Sequence, residues 1–229
     1  MEIRLHYNQA GEGEALILLH GNGEDGSYFV HQLEFFSRRY RVLAVDTRGH
    51  GKSPRGTAPF TIRQFAEDLG AFLEEQGIER ANLLGFSDGG NIALIFAICH
   101  PERVKRLILN GANLDPAGVK PAVQLPIVLG YRMASLFAGR SPAAKQNAEM
   151  LGLMVNDPMI PEEDLKKVSA PALVIAGTRD MIREAHTRKI AQALPHARLV
   201  LLPGGHFIAN RSPEEFNRAV ETFLAEPAL

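Results

Sequence analysis

The stretch "LLGFSDGGNIAL", residues 83–94, ends one apolar run at Phe86, begins another after Asp88, and sets Ser87 between them. Gly85-Phe86-Ser87-Asp88-Gly89 has the pattern G-x-S-x-G. The first run suits a buried strand and the second a helix. In that context a sharp strand-to-helix turn lifts a serine hydroxyl above the sheet. The glycines answer to the same geometry, because such a turn strains the backbone and brings neighbouring chain too close for a Cβ. Read structurally instead, Ser87 is a helix N-cap after a strand. The rest of the chain bears on the choice.

Short runs rich in Leu, Ile and Val recur on both sides of this stretch: "ALILLH" (15–20), "RVLAVD" (41–46), "RLILNG" (106–111), "ALVIAG" (172–177) and "RLVLLP" (198–203), with "ANLLGF" (81–86) among them. Runs this continuous suit strands buried on both faces of a parallel sheet. Helical spacing fills the gaps. In "TIRQFAEDLGAFLEEQG", Ile62, Phe65, Leu69, Phe72 and Leu73 share a face, Thr61 caps the start and Gly77 stops the end. "EAHTRKIAQAL" and "SPEEFNRAVETFL" repeat the pattern, the second with Ser212 and Glu215 as a capping box and Pro213 at the first helical position. The fold class is therefore α/β: a mostly parallel central sheet flanked by helices, joined by right-handed crossovers, with ligands beyond the carboxyl ends of the strands. The 229 residues form a single domain, 1–229, at this size. Residues 114–162, rich in Pro, Ala and Met, break the rhythm and read as a short helical cap insertion over the strand ends.

Composition narrows the function. With 25 basic and 26 acidic residues the net charge is −1, so no bulk field draws the chain to nucleic acid or to an acidic membrane, and neither is expected as a partner. The single cysteine, Cys99, excludes an intrachain disulfide and a four-thiolate zinc site and is expected in the core. The histidines form no H-E-x-x-H pattern, and "GHGKS" lacks the upstream glycine of a phosphate loop, so no cofactor or metal is implied. The N-terminus lacks the basic and apolar regions of a secretory signal, and no stretch reaches the roughly 18 apolar residues of a membrane span. A soluble, cytoplasmic protein is expected.

A serine hydroxyl needs a general base, and the base needs an orienting acid. "LLPGGHFIANRSPEE" puts His206 in a glycine-containing loop just after the last strand, and "VIAGTRDMI" puts Asp180 just after the strand before it. Both fall on the same rim as Ser87, in the order Ser, Asp, His. Each has a plainer reading: Asp180 as a helix cap, His206 as an exposed loop residue. For the oxyanion of an attacked carbonyl, "LILLHGNGEDGS" offers the backbone N–H of Asn22 and the elbow that of Asp88.

These residues together resemble the α/β-hydrolase fold superfamily: His20-Gly21-Asn22-Gly23, "DTRGHGKS" (46–53), the elbow at 85–89, "GTRD" (177–180) and "GGH" (204–206) match it along essentially the whole chain. The elbow form "GFSDGG" is similar to that of the valacyclovir-hydrolase-like branch. The resemblance implies a Ser87-Asp180-His206 triad and a structural role for Asp46, Arg48, Gly49 and Gly51. Two departures are evident. Only "IRLHY" precedes "ALILLH" as a strand, which shortens the family's eight-stranded sheet, and the brief insertion implies a more open or smaller acyl pocket. Leu125, Leu129, Met133, Phe137, Met150 and Met154 are candidates to line that pocket, with ordinary packing as the alternative. Asp88 is a candidate to favour substrates carrying an ammonium group, or else an acid placed in the first helical turn by the macrodipole.

The expected activity is hydrolysis of small carboxylic esters through an acyl-enzyme, with a small-molecule ester as partner. The same triad serves lactone, amide, thioester or carbon–carbon bond hydrolysis and perhydrolysis. A ligand-binding receptor or inactive hydrolase relative is the alternative of another class.

Overall fold

The computed structural model describes residues 2–226. Seven strands form one sheet: β1 (Tyr7–Ala10), β2 (Ala15–Leu19), β3 (Arg41–Val45), β4 (Ala81–Phe86), β5 (Val104–Asn110), β6 (Ala172–Gly177) and β7 (Ala197–Leu202). Their order is β1-β3-β2-β4-β5-β6-β7, with β1 antiparallel to β3 and the other pairs parallel. The apolar runs became the six parallel strands. The seventh departs from expectation, because pairing begins at Tyr7 and most of "IRLHY" lies outside the sheet. Its backbone bonds go elsewhere: His6 N–H donates to Ser53 Oγ at 2.8 Å and Asp46 N–H to the His6 carbonyl at 2.9 Å.

Helices cover both faces: α1 (Val30–Phe36), α2 (Ile62–Glu75), α3 (Asp88–Cys99), α4 (Pro121–Phe137), α5 (Pro142–Asn156), α6 (Glu184–Ala193), α7 (Ile208–Arg211) and α8 (Pro213–Leu224). Alternation along β2 divides the core in two. Ile17 and Leu19 join Phe72 of α2 and Phe96 of α3 on one face, while Leu16 and Leu18 join Phe29, Phe216 and Phe223 on the other. In α2, Thr61 Oγ1 accepts from Gln64 N–H at 3.2 Å and Gly77 takes φ +64 after the end, as the sequence predicts. The capping box at Ser212 does not form. Ser212 closes α7 before it opens α8, and its ψ of 57 lies outside the extended conformation of a side-chain cap. Cys99 is exposed at the last residue of α3, not in the core.

Strand order reverses at β2: β3 lies on one side and β4 on the other. The chain leaving β2 and the chain leaving β4 therefore part in opposite directions and open a crevice at the carboxyl ends. The register pairs Leu19 with Gly85, which sets the turn at Asn22 beside the elbow at Ser87. Helices α4 and α5 are the main elements of 114–162, between β5 and β6. Among the described residues no helix is long and apolar enough to cross a membrane.

Candidate active site

Ser87 has φ 52 and ψ −120, the one positive φ at a non-glycine position among the described residues. Its side chain makes no cap hydrogen bond, so the N-cap alternative does not describe it. The glycines around it are sterically required. A Cβ on Gly85 would run into the Gly89 carbonyl, and a Cβ on Gly89 into that of Leu19. Ser87 N–H donates to the Asn110 carbonyl of β5 at 2.8 Å, which fixes the turn to the sheet.

His206 and Asp180 meet at the same rim. His206 Nδ1 donates to Asp180 Oδ1 at 2.7 Å with both side chains buried, and Ile182 N–H donates to the same oxygen at 2.9 Å. Neither plainer reading survives: Asp180 is turned to the imidazole, and the imidazole is enclosed. The His206 ring lies 4.8 Å from that of Phe86, the residue before Ser87. The partner of the imidazole is Asp180, and no hydrogen bond between Ser87 Oγ and His206 forms among the described residues.

The backbone N–H of Asp88 opens α3, where helix geometry leaves the first donors free. The Asn22 turn is held by His20, whose Nδ1 donates to the Gly21 carbonyl at 2.7 Å while Nε2 accepts from Thr47 N–H at 3.0 Å. Burial pushes the His20 imidazole down to about 4, so it stays neutral and can accept.

Side chains add a second connection. Asn22 Nδ2 donates to Asp88 Oδ2 at 3.0 Å and to the Met150 carbonyl of α5 at 2.8 Å. Asn91 Nδ2 donates to the other Asp88 oxygen at 3.4 Å and to Asn113 Oδ1 at 3.2 Å. Asn113 Nδ2 in turn donates to the Asp115 carbonyl at 2.9 Å. This amide chain links the turn, the elbow and the entry to α4. Burial raises the Asp88 carboxyl to about 6, opposed by the Asn22 hydrogen bond.

Several residues of the site carry no recognisable sequence signal. Burial raises Glu24 to about 7, with His206 within electrostatic reach. Glu24 Oε2, Tyr28 Oη and Asp180 Oδ2 are all buried without a protein partner. Tyr28 stacks on Phe86 with ring centroids 4.5 Å apart. Gly111 takes φ +65 at the end of β5, where a Cβ would stand 2.7 Å from His206 Cε1.

The expected pocket lining is corrected. Leu125, Leu129, Met133 and Phe137 lie exposed on the outer face of α4, because that helix turns its other face, with the half-buried Val123, Ile127 and Tyr131, toward α5. Met150 instead borders a cavity of about 570 Å³ between the 49–60 loop and α5, with Arg55, Phe60, Lys145 and Glu149. Met154 is half-buried on α5, its carbonyl accepting from Gln124 Nε2 at 3.0 Å. Arg55 ties loop to helix through Nε and Nη2, which donate to the Glu149 carboxylate at 3.0 and 2.8 Å. The 46–53 loop is structural as the resemblance implies: Asp46 accepts from Gly26 N–H and Lys52 N–H, and Arg48 pairs with Asp68. Among the described residues no three His, Cys, Asp or Glu side chains gather as a metal site.

A doubly wound sheet that carries a strained serine turn at its reversal point, with a buried His–Asp pair on the same rim, defines the hydrolase class of α/β folds. The chain belongs to the alpha/beta hydrolase fold family, whose model matches residues 14–139. It is 30% identical to a 2-hydroxy-6-oxononadienedioate/2-hydroxy-6-oxononatrienedioate hydrolase of Paraburkholderia phymatum, covering 98% of this chain and 92% of the relative. It is 29% identical to the serine hydrolase BPHL of Mus musculus, over 97% of this chain and 83% of the relative. The solved enol-lactonase of Burkholderia xenovorans LB400 superimposes with a TM-score of 0.83 at 27% identity, covering 98% of this chain and 97% of that one.

Proposed function

We propose that this chain is a serine hydrolase cleaving small carboxylic esters through an acyl-enzyme. The observation that carries the reading is the 2.7 Å bond from His206 Nδ1 to Asp180 Oδ1, which leaves Nε2 of the imidazole as the proton acceptor on the rim that bears Ser87. His206 takes the proton of Ser87 as Oγ attacks the acyl carbon. The oxyanion rests on the N–H groups of Asn22 and Asp88. His206 then protonates the departing alcohol, and water repeats the sequence to release the acid. Asp180 holds the imidazole in its useful tautomer.

Lactone or carbon–carbon bond hydrolysis by the same residues is the second reading, favoured by the names of the enol-lactonase and the oxononadienedioate hydrolase. Hydrolysis of p-nitrophenyl esters from acetate to octanoate, beside a small lactone, tests both with Ser87→Ala as the pair. Turnover falls at least ~10³-fold in the variant. Equal rates in both proteins would sink the assignment of Ser87. Tight ligand retention without turnover in either would turn it toward a receptor.

A further inference from the structure

The net charge of −1 hides an uneven distribution. From Pro116 to Ala148 the chain carries Lys120, Arg132, Arg140 and Lys145 and no acidic residue. The Lys120 ammonium is used internally, donating to the Asp180 main-chain carbonyl. Arg132, Arg140 and Lys145 are exposed and join no ion pair among the described residues.

The same segment holds most of the exposed apolar surface. Of the eight large apolar side chains exposed among the described residues, five are on α4: Leu125, Leu129, Met133, Leu136 and Phe137, between 48% and 73% exposed. Steps of four, four, three and one put them on one face, a stripe roughly 18 Å long at the helical rise. Arg132 lies two turns from Leu125 along its edge, and Arg140 follows its end. The opposite face is occupied by α5, where Leu151 meets Gly130. An apolar stripe with a cationic border is the pattern of a helix that lies in a lipid–water interface.

We infer that this face of α4 docks on an anionic lipid surface, with the stripe among the acyl chains and Arg132 and Arg140 against phosphate headgroups. Charge and shape select this occupant. A second copy packed about a twofold axis through Leu129 and Met133 would bring Arg132 toward Arg132. A peptide would need a groove, and the face is the convex outside of one helix. The proposal does not depend on the hydrolase reading.

The test is flotation of the full chain with vesicles of phosphatidylcholine alone and of phosphatidylcholine mixed with phosphatidylglycerol, in low and high salt. The mixed vesicles retain the protein about tenfold better, salt removes the advantage, and Arg132→Glu with Arg140→Glu removes it without salt. Leu129→Glu with Met133→Glu abolishes retention, with circular dichroism reporting that each variant is folded. The wild-type comparison needs no variant: equal retention on both vesicle types, or none on either, overturns the proposal. A dimer in sedimentation that Leu129→Glu dissolves also overturns it, in favour of a second copy.

Discussion

At Gly111 the absence of a side chain keeps the His–Asp pair in place. A Cβ there would stand 2.7 Å from His206 Cε1 and 3.4 Å from Asp180 Oδ2, on a backbone at φ +65. Gly111→Ala is expected to displace the imidazole, lowering kcat about 10²-fold and stability by about 1–2 kcal/mol, read by ester kinetics and urea unfolding. Asp88 gives a pH signature. Burial holds its folded-state carboxyl at about 6 against an ordinary 3.8, so the folded chain binds the proton more tightly than the unfolded chain. Its contribution is therefore fully favourable below the ordinary value and is lost as pH rises through the folded one. Between pH of about 4 and 7, Asp88→Asn is expected to gain on the wild type by up to about 3 kcal/mol, followed by urea unfolding at each pH. A gap that stays constant would mean that the carboxyl ionises freely. The same variant separates two roles: selective loss with amino-acid esters assigns Asp88 to an ammonium group, and equal loss across esters assigns it to holding Asn22. Ser87, Asp180 and His206 were legible because chemistry-bearing types followed apolar strand runs. Glu24, Asn91 and Gly111 were not, since what places them is side-chain direction and close approach, which a linear sequence does not record.

Among the elements, the six parallel strands were legible because burial on both faces writes continuous apolar runs. The first strand was misplaced by three to four residues, because Ile3 and Leu5 are buried without being paired. Helix α4 shows a different limit. Residues 114–162 read as a helical insertion, but apolar residues stand on two faces of α4, and only packing decides which one is covered. The short link from α5 to the 49–60 loop is open to a direct test. Arg55 and Glu149 meet in a two-pronged pair with side chains 34% and 24% exposed. A double-mutant cycle with Arg55→Ala and Glu149→Ala, followed by urea unfolding, is expected to give a coupling of about 0.5–1 kcal/mol that shrinks in high salt. A coupling of zero beside a cost for Arg55→Ala alone would assign that cost to packing of Arg55 on Phe60, whose ring centroid is 4.7 Å from the guanidinium carbon.

For the whole molecule, the parallel sheet and its right-handed crossovers followed from the alternation of apolar runs with helical segments. The polar pins between layers did not follow. Arg48 is enclosed under the sheet edge and donates through Nε and Nη2 to Asp68 of α2 at 2.7 Å each. Asp68→Ala leaves Nε and Nη2 unpaired while Nη1 keeps the Glu2 carboxylate and the Arg55 carbonyl, and is expected to cost about 3 kcal/mol, seen as an earlier urea midpoint with an unchanged slope. Another pin has a different reach. Asn22 grips α5 through the Met150 main-chain carbonyl, which any residue at that position would present. The grip is therefore blind to the side chain, and position 150 is free to vary so long as the helix persists. The segments bearing Ser87, Asp180 and His206 all lie outside 114–162. Inherited variation at position 150 can thus recontour the cavity between α5 and the 49–60 loop while the Ser87 turn and the His206–Asp180 pair stay as they are, a division of labour that confines drift to one exchangeable part.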